Sequence, residues 1–122
     1  MTPKEFKAVA RKAIENLPEE FRTHVAEIDI LVEPHASDDV LSELGVPEDE
    51  DIYGLFEGTF LTERNLSDAP EMPPRITLFY EPLLADCETE EELVHEIQVT
   101  VLHEIGHFFG LEEEDLERLG FG

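Results

Sequence analysis

The apolar positions change period several times along the chain, and each change marks an element. From Pro3 to Leu17, the residues Phe6, Val9, Ala10, Ala13, Ile14 and Leu17 recur at three- and four-residue steps. That spacing predicts an amphipathic helix, which Pro18 terminates. Pro18–Val25 reads as a further helical turn. Ile28, Ile30 and Val32 then alternate with Glu27, Asp29 and Glu33, with Leu31 interrupting the polar side, a strand pattern that stops at Pro34. Ser37 is placed to cap a short helix running to about Leu44, and Gly45 to stop it. Ile52–Leu61 mixes aromatic residues with Gly54 and Gly58, which predicts a bent or bulged strand. Thr62–Pro74 holds Pro70, Pro73 and Pro74 without periodicity and reads as a loop. Arg75–Tyr80 (RITLFY) is a strong strand signal closed by Pro82.

The best-defined element follows. Thr89 and Glu92 have capping-box spacing, and Glu90 and Glu91 sit favourably against the helix dipole. Leu93, Val94, Ile97, Val101, Leu102 and Ile105 form a broad apolar stripe that continues to Phe109, where Gly110 supplies a stop. A helix of about twenty residues is long for so short a chain, which makes it a natural central element. Helix, strand, helix, strand, strand, helix is the order of an α+β domain.

Composition bounds the function. The 122 residues fit one domain, residues 1–122, and an apolar fraction of 41% supports a packed core without disulfides. The single cysteine, Cys87, excludes an internal disulfide framework and a cysteine-based structural metal site. No apolar run reaches membrane-spanning length, and the charged N-terminal stretch is no secretory signal, so a soluble, cytoplasmic protein is expected. The net charge of −23 repels phosphate backbones and anionic headgroups, arguing against nucleic acid and membrane as partners. The charge is uneven: residues 1–24 carry five basic and four acidic side chains, and the remainder carries three basic and 27 acidic ones. Oligomeric state leaves no mark in the sequence.

The chemistry lies on the long helix, where His103, Glu104 and His107 read HEIGH. Histidines four apart stand about 40° from each other around a helix and one turn apart along it. Both imidazoles can therefore reach one tetrahedral Zn2+ at about 2.0–2.1 Å. Glu104 lies on the adjacent flank, placed to take a proton from water that the metal has made acidic. Gly106, between the histidines, where alanine would favour the helix, suggests that another backbone approaches closely. A third protein ligand is required, and after Gly110 the chain offers Glu112, Glu113, Glu114 and Asp115.

The run HEIGHFFGLEE resembles the extended zincin pattern HExxHxxGxxH/D, in which the glycine permits a turn and the last position supplies the third ligand. With YGLFEGTFLTER and RITLFYEPLL before it, the stretch from about residue 50 to 122 resembles the small bacterial metallopeptidases called minimal zincins. The resemblance implies a short mixed sheet packed on the long C-terminal HExxH helix, with an edge strand above a metal cleft. It implies a zinc metallopeptidase acting on a peptide or protein substrate, with His103, His107 and Glu113 as metal ligands and Glu104 as general base. Glutamate replaces the usual His or Asp at the third position, which leaves Glu112, Glu114 and Asp115 as alternatives. The methionine turn of larger metzincins is missing, since Met1 and Met72 both lie upstream.

Other residues weigh less. Glu96 and Thr100 share the face of His103 on a helical wheel, about 20° and 60° away, although Glu96 is read as solvent-facing. His95, about 80° round and two turns earlier, is too far to ligate the same metal. His24 and His35 have no partner spacing, Tyr53 and Tyr80 read as packing aromatics, and Cys87 has no basic neighbour to activate it. A bound peptide is expected along the edge of Arg75–Tyr80, with Thr62–Pro74 walling the cleft. The alternative is a catalytically silent zinc-binding interaction module, with the metal closed off by a further carboxylate.

Overall fold

A computed structural model describes residues 1–47, 49–58, 73–106 and 110–121, apart from the His24 side chain. In chain order these form α1 (Pro3–Glu15), α2 (Glu19–Val25), β1 (Asp29–Glu33), α3 (Asp38–Glu43), β2 (Gly54–Glu57), β3 (Arg75–Phe79), α4 (Tyr80–Asp86), α5 (Glu90–Ile105) and α6 (Glu113–Arg118). The architecture is α+β: a three-stranded mixed sheet and α1 both pack on α5. No helix among the described residues is long and apolar enough to cross a membrane.

The periodicity of α1 and α5 explains the packing. Phe6, Val9, Ala10 and Ala13 of α1 meet Leu93, Ile97, Val101, Leu102 and Ile105 of α5 in one buried cluster. Ile76 and Leu78 of β3 complete it, and Ile30, Val32 and Phe56 pack against it. One polar contact lies within this apolar seam: the Gln98 side-chain amide donates to the Ala13 carbonyl at 2.9 Å. Ala13 belongs to the last turn of α1, where carbonyls have no partner within the helix, so Gln98 satisfies a group that burial would otherwise penalise.

The sheet order is β1-β3-β2, with β1 parallel and β2 antiparallel to β3. Two expectations about β3 are corrected by this. The strand ends at Phe79, not Tyr80, and it is the central strand, so neither of its edges can take a peptide. Tyr80 instead opens α4, which the sequence reading missed. Pro82 sits in the first turn of α4, where its missing N–H costs no bond; it begins a helix as much as it closes the strand. α6 was missed as well, its six residues being too few for a periodic signal.

At the start of α5 the cap is only half of a reciprocal box. Thr89 Oγ1 accepts from the Glu92 N–H at 3.1 Å, but the Glu92 carboxylate accepts from the Glu88 N–H at 3.2 Å, one residue beyond the expected partner. The C-terminal part of the long helix expected to run to Phe109 lies outside the described residues, as do residues 59–61 of the predicted Ile52–Leu61 strand and 62–72 of the Thr62–Pro74 loop. Leu31, which broke the alternation of β1, stands on the sheet's outer face at 38% exposure.

β2 reaches α5 through a glycine. A Cβ on Gly54 would stand 2.8 Å from Thr100 Cγ2 and 3.3 Å from the Thr77 carbonyl oxygen. The methyl cannot swing aside freely, because the Thr100 hydroxyl donates to the Glu96 carbonyl at 2.8 Å and the side chain is buried. Gly54→Ala is expected to lower stability by about 1–3 kcal/mol, the usual cost of overpacking. Adding Thr100→Ser, which removes the methyl, is expected to recover much of that loss; urea melts of the four proteins in the double-mutant cycle measure it.

Candidate metal and catalytic site

α5 divides its surface between two tasks. Its apolar stripe is buried, and the strip beside it, Glu96, Val99, Thr100, His103 and Glu104, lines an open cleft of about 370 Å3. The facing wall is the segment leading into β2: Asp51, Ile52, Tyr53 and Gly54. The Gly54–Thr100 contact sets how close that wall stands to the helix.

His103 and Glu104 meet at this cleft from different depths. His103 is exposed, and its Nε2–H donates to the Phe121 carbonyl at 3.2 Å. Since a carbonyl only accepts, Nδ1 is left as the lone-pair nitrogen of the neutral ring. Glu104 is half-buried; burial pushes its carboxyl above the usual range, and the neighbouring His103 opposes that shift. An imidazole nitrogen with a lone pair beside a partly desolvated carboxyl has the chemistry of one zinc ligand and one proton acceptor, and a metal here needs further ligands. His107, the second predicted ligand, lies outside the described residues, together with Phe108 and Phe109.

The acidic run sits at the head of α6. Glu113 is the first residue of that helix and is exposed; with Glu112 and Glu114 it lines a separate surface recess, not the cleft of His103 and Glu104. Asp115 is engaged elsewhere. Its Oδ2 accepts from the Glu112 N–H at 3.0 Å and its Oδ1 from Arg118 at 2.6 Å. The backbone bond first, and then Arg118, hold its carboxyl below the usual range. Among the described residues, no three histidine, cysteine or acidic side chains stand close enough together to hold a metal.

Two glycines of the motif region differ from each other. Gly110 has φ +75°, and the Leu111 N–H donates to the Gly106 carbonyl at 3.0 Å, so the predicted glycine turn is present. Leu111 packs on the core, which leaves the acidic residues after it outside. The expectation that a backbone crowds Gly106 is not met. A Cβ there would find the side chains of Leu111 and Leu116 at 3.5–3.9 Å, ordinary contact that an alanine would tolerate.

Glu96, read as solvent-facing, is half-buried and lines the cleft. The signal was in the wheel, since it shares the face of His103. What the wheel could not show is the β2 segment that roofs that face. Tyr53 does more than pack: its hydroxyl donates to Asp86 at the end of α4, a pairing 33 residues apart that no local pattern reveals. Cys87 is half-buried, and burial together with Glu96, Glu92 and Asp86 pushes its thiol up, consistent with an unreactive side chain. His95 is exposed and stacks on the Phe121 ring at 6.2 Å, and His35 pairs with Glu81 at 3.0 Å on the surface.

The Tyr53 phenol is pushed up to about 12, first by its hydrogen bond to Asp86, then by burial and by the Asp86 and Glu96 charges. A raised folded-state pKa means that the folded chain holds this proton more tightly. The resulting stability is present below about pH 10, the unfolded value, and is lost as pH rises towards 12. Ultraviolet titration of phenolate, assigned with Tyr53→Phe, is expected to show this late ionisation. Asp86→Asn should move it back towards 10, the ordinary value.

The family model for zincin-like metallopeptidases matches residues 25–122, which takes in the sheet, the cleft and the HEIGH helix. No curated protein matches the chain. The match covers well over half of the sequence, and the chain belongs to the zincin-like metallopeptidase family, whose metal is zinc.

Proposed function

We propose that the cleft beside α5 hydrolyses peptide bonds, with His103, His107 and Glu113 holding zinc and Glu104 acting as general base. The observation that carries this reading is the placement of His103 and Glu104 side by side on one helix, both lining the open cleft that β2 borders. Zinc, when bound, supplies Lewis acidity that makes water acidic near neutral pH and polarises a peptide carbonyl.

The chain's own residues supply the rest. Glu104, half-buried on the cleft wall, takes the proton from the attacking water and returns it to the leaving amine. Glu113 is chosen over Asp115 because both oxygens of Asp115 are already committed to the α6 cap and to Arg118. An extended peptide substrate lies in the cleft, one wall of which is the segment leading into β2. Gly54 contributes to the cleft wall, where only a glycine lets the strand stand this close to α5.

A second reading, favoured by the four consecutive carboxylates from Glu112 to Asp115, is a zinc-binding module in which a further acidic ligand closes the site and no turnover occurs. Zinc-dependent melting with no cleavage of any peptide pool is the outcome that reading requires.

Glu104→Gln separates chemistry from metal binding. Cleavage of a peptide library by the zinc-loaded protein is expected to fall by at least about 100-fold, the scale of a lost general base. Zinc stoichiometry by calorimetry should stay near that of the unaltered chain. Cleavage that continues unchanged in this variant would sink the mechanism.

A further inference from the structure

Two turns before His103, α5 brings one more carboxylate to the cleft. Glu96 stands seven residues ahead of His103 and about 20° from it around the helix, so the two share a line along the cleft wall. Glu96 is half-buried, and among the described residues no donor or cation meets its carboxylate. The bond at this residue goes to its main chain, where the Thr100 hydroxyl donates to the carbonyl at 2.8 Å. Its charge is felt nearby. Burial first, and then Glu96, push up the Cys87 thiol, and Glu96 adds to the rise of the Tyr53 phenol.

The walls around this carboxylate suit one kind of side chain. Val99 and Ile52, both half-buried, line the cleft with it, Val99 from α5 and Ile52 from the facing segment. Lysine and arginine bury their methylene stems along such apolar surface while the charged head stays in a polar setting. Asp51 adds a second carboxylate on the facing wall, with one oxygen accepting from the Ile52 N–H at 3.0 Å. Among the described residues the lining holds no lysine or arginine to neutralise either acid. A neutral or acidic side chain laid over Glu96 strips water from an unpaired carboxylate and supplies no partner. An ammonium or guanidinium replaces that water with a charge-assisted bond.

We propose that Glu96 selects the substrate: the cleft takes peptides that carry a lysine or arginine side chain over Glu96, about three residues from the bond that is cut. The spacing comes from the helix. Seven residues rise about 10 Å along α5, and an extended peptide gains roughly 3.3 Å per residue. This assignment rests on the reading of the cleft as the site of peptide hydrolysis, and it gives Glu96 a task in binding, not in the chemistry.

Cleavage of a randomised peptide library by the zinc-loaded chain, with cut sites read by mass spectrometry, is expected to enrich lysine and arginine at one position roughly two to four residues from the cut. Two synthetic peptides that differ only by lysine or methionine at that position are then compared. The ratio of their kcat/KM values should favour lysine by roughly 10-fold, the scale of one close charge pair, with the difference lying in KM. Glu96→Gln is expected to abolish the preference, Glu96→Asp to retain part of it, and Glu96→Lys to reverse it in favour of a glutamate peptide. Asp39→Asn, which removes a charge on α3 outside the cleft, should leave the ratio unchanged. A second readout needs no turnover. In carbon-13 spectra of the zinc-loaded full chain carrying Glu104→Gln, the Glu96 carboxylate resonance is expected to shift when a short alanine peptide with one central lysine is added, and not with methionine in its place. Peptides cut without preference for a basic side chain, or a preference that survives Glu96→Gln in a folded protein, overturn the proposal and leave the hydrolytic reading standing. If no peptide is cut but the lysine peptide still shifts the Glu96 resonance, hydrolysis fails and the recognition of a basic side chain stands. Absence of that shift together with absence of cleavage removes both.

Discussion

Everything in this molecule leans on the burial of one face of α5. Leu93, Ile97, Val101, Leu102 and Ile105 are nearly or wholly inaccessible to solvent, held between α1 on one side and the sheet on the other. Fully burying side chains of this kind stabilises a fold by roughly 1.5–3 kcal/mol each before ordering costs are counted. A helix so firmly held cannot roll, and that fixes where the next strip of its surface points. His103 and Glu104 occupy that strip, so the rotational setting of these two side chains is a by-product of the packing behind it.

The cleft exists because a second element is brought against the same strip. β2 reaches it through Gly54, at a separation that leaves no room for a Cβ beside Thr100. The segment before β2 is strapped to the end of α4 by the hydrogen bond from Tyr53 to Asp86, so two adjacent residues of the wall are held. Glu96 and Glu104 face that wall from the helix, and the lining includes no lysine or arginine among the described residues. Such a pocket favours cations and keeps the Tyr53 phenol neutral well beyond the ordinary range.

α6 is short, acidic at its head and anchored by a single buried residue, Leu116. Its first turn is stabilised by Asp115, which bonds the Glu112 N–H and Arg118 and is thereby withdrawn from other duties. The neighbouring Glu113 and Glu114 are left exposed.

How far the sequence alone carried the reading follows from the range of each interaction. The periodicity of α1 and α5, the cap at Thr89 and the left-handed turn at Gly110 are all local, set within a turn or two of helix, and they were legible. The α+β class and the family followed from them. The pairing of β3 on both edges was not legible, because an isolated apolar strand reads the same at the centre of a sheet as at its edge. Nor were α4, the placement of Glu96 in a cleft, the Tyr53–Asp86 strap or the reach of Phe121 to His103. Each depends on residues distant in sequence that meet only once α5 is buried, and no local pattern encodes a contact whose partner the chain has yet to bring near.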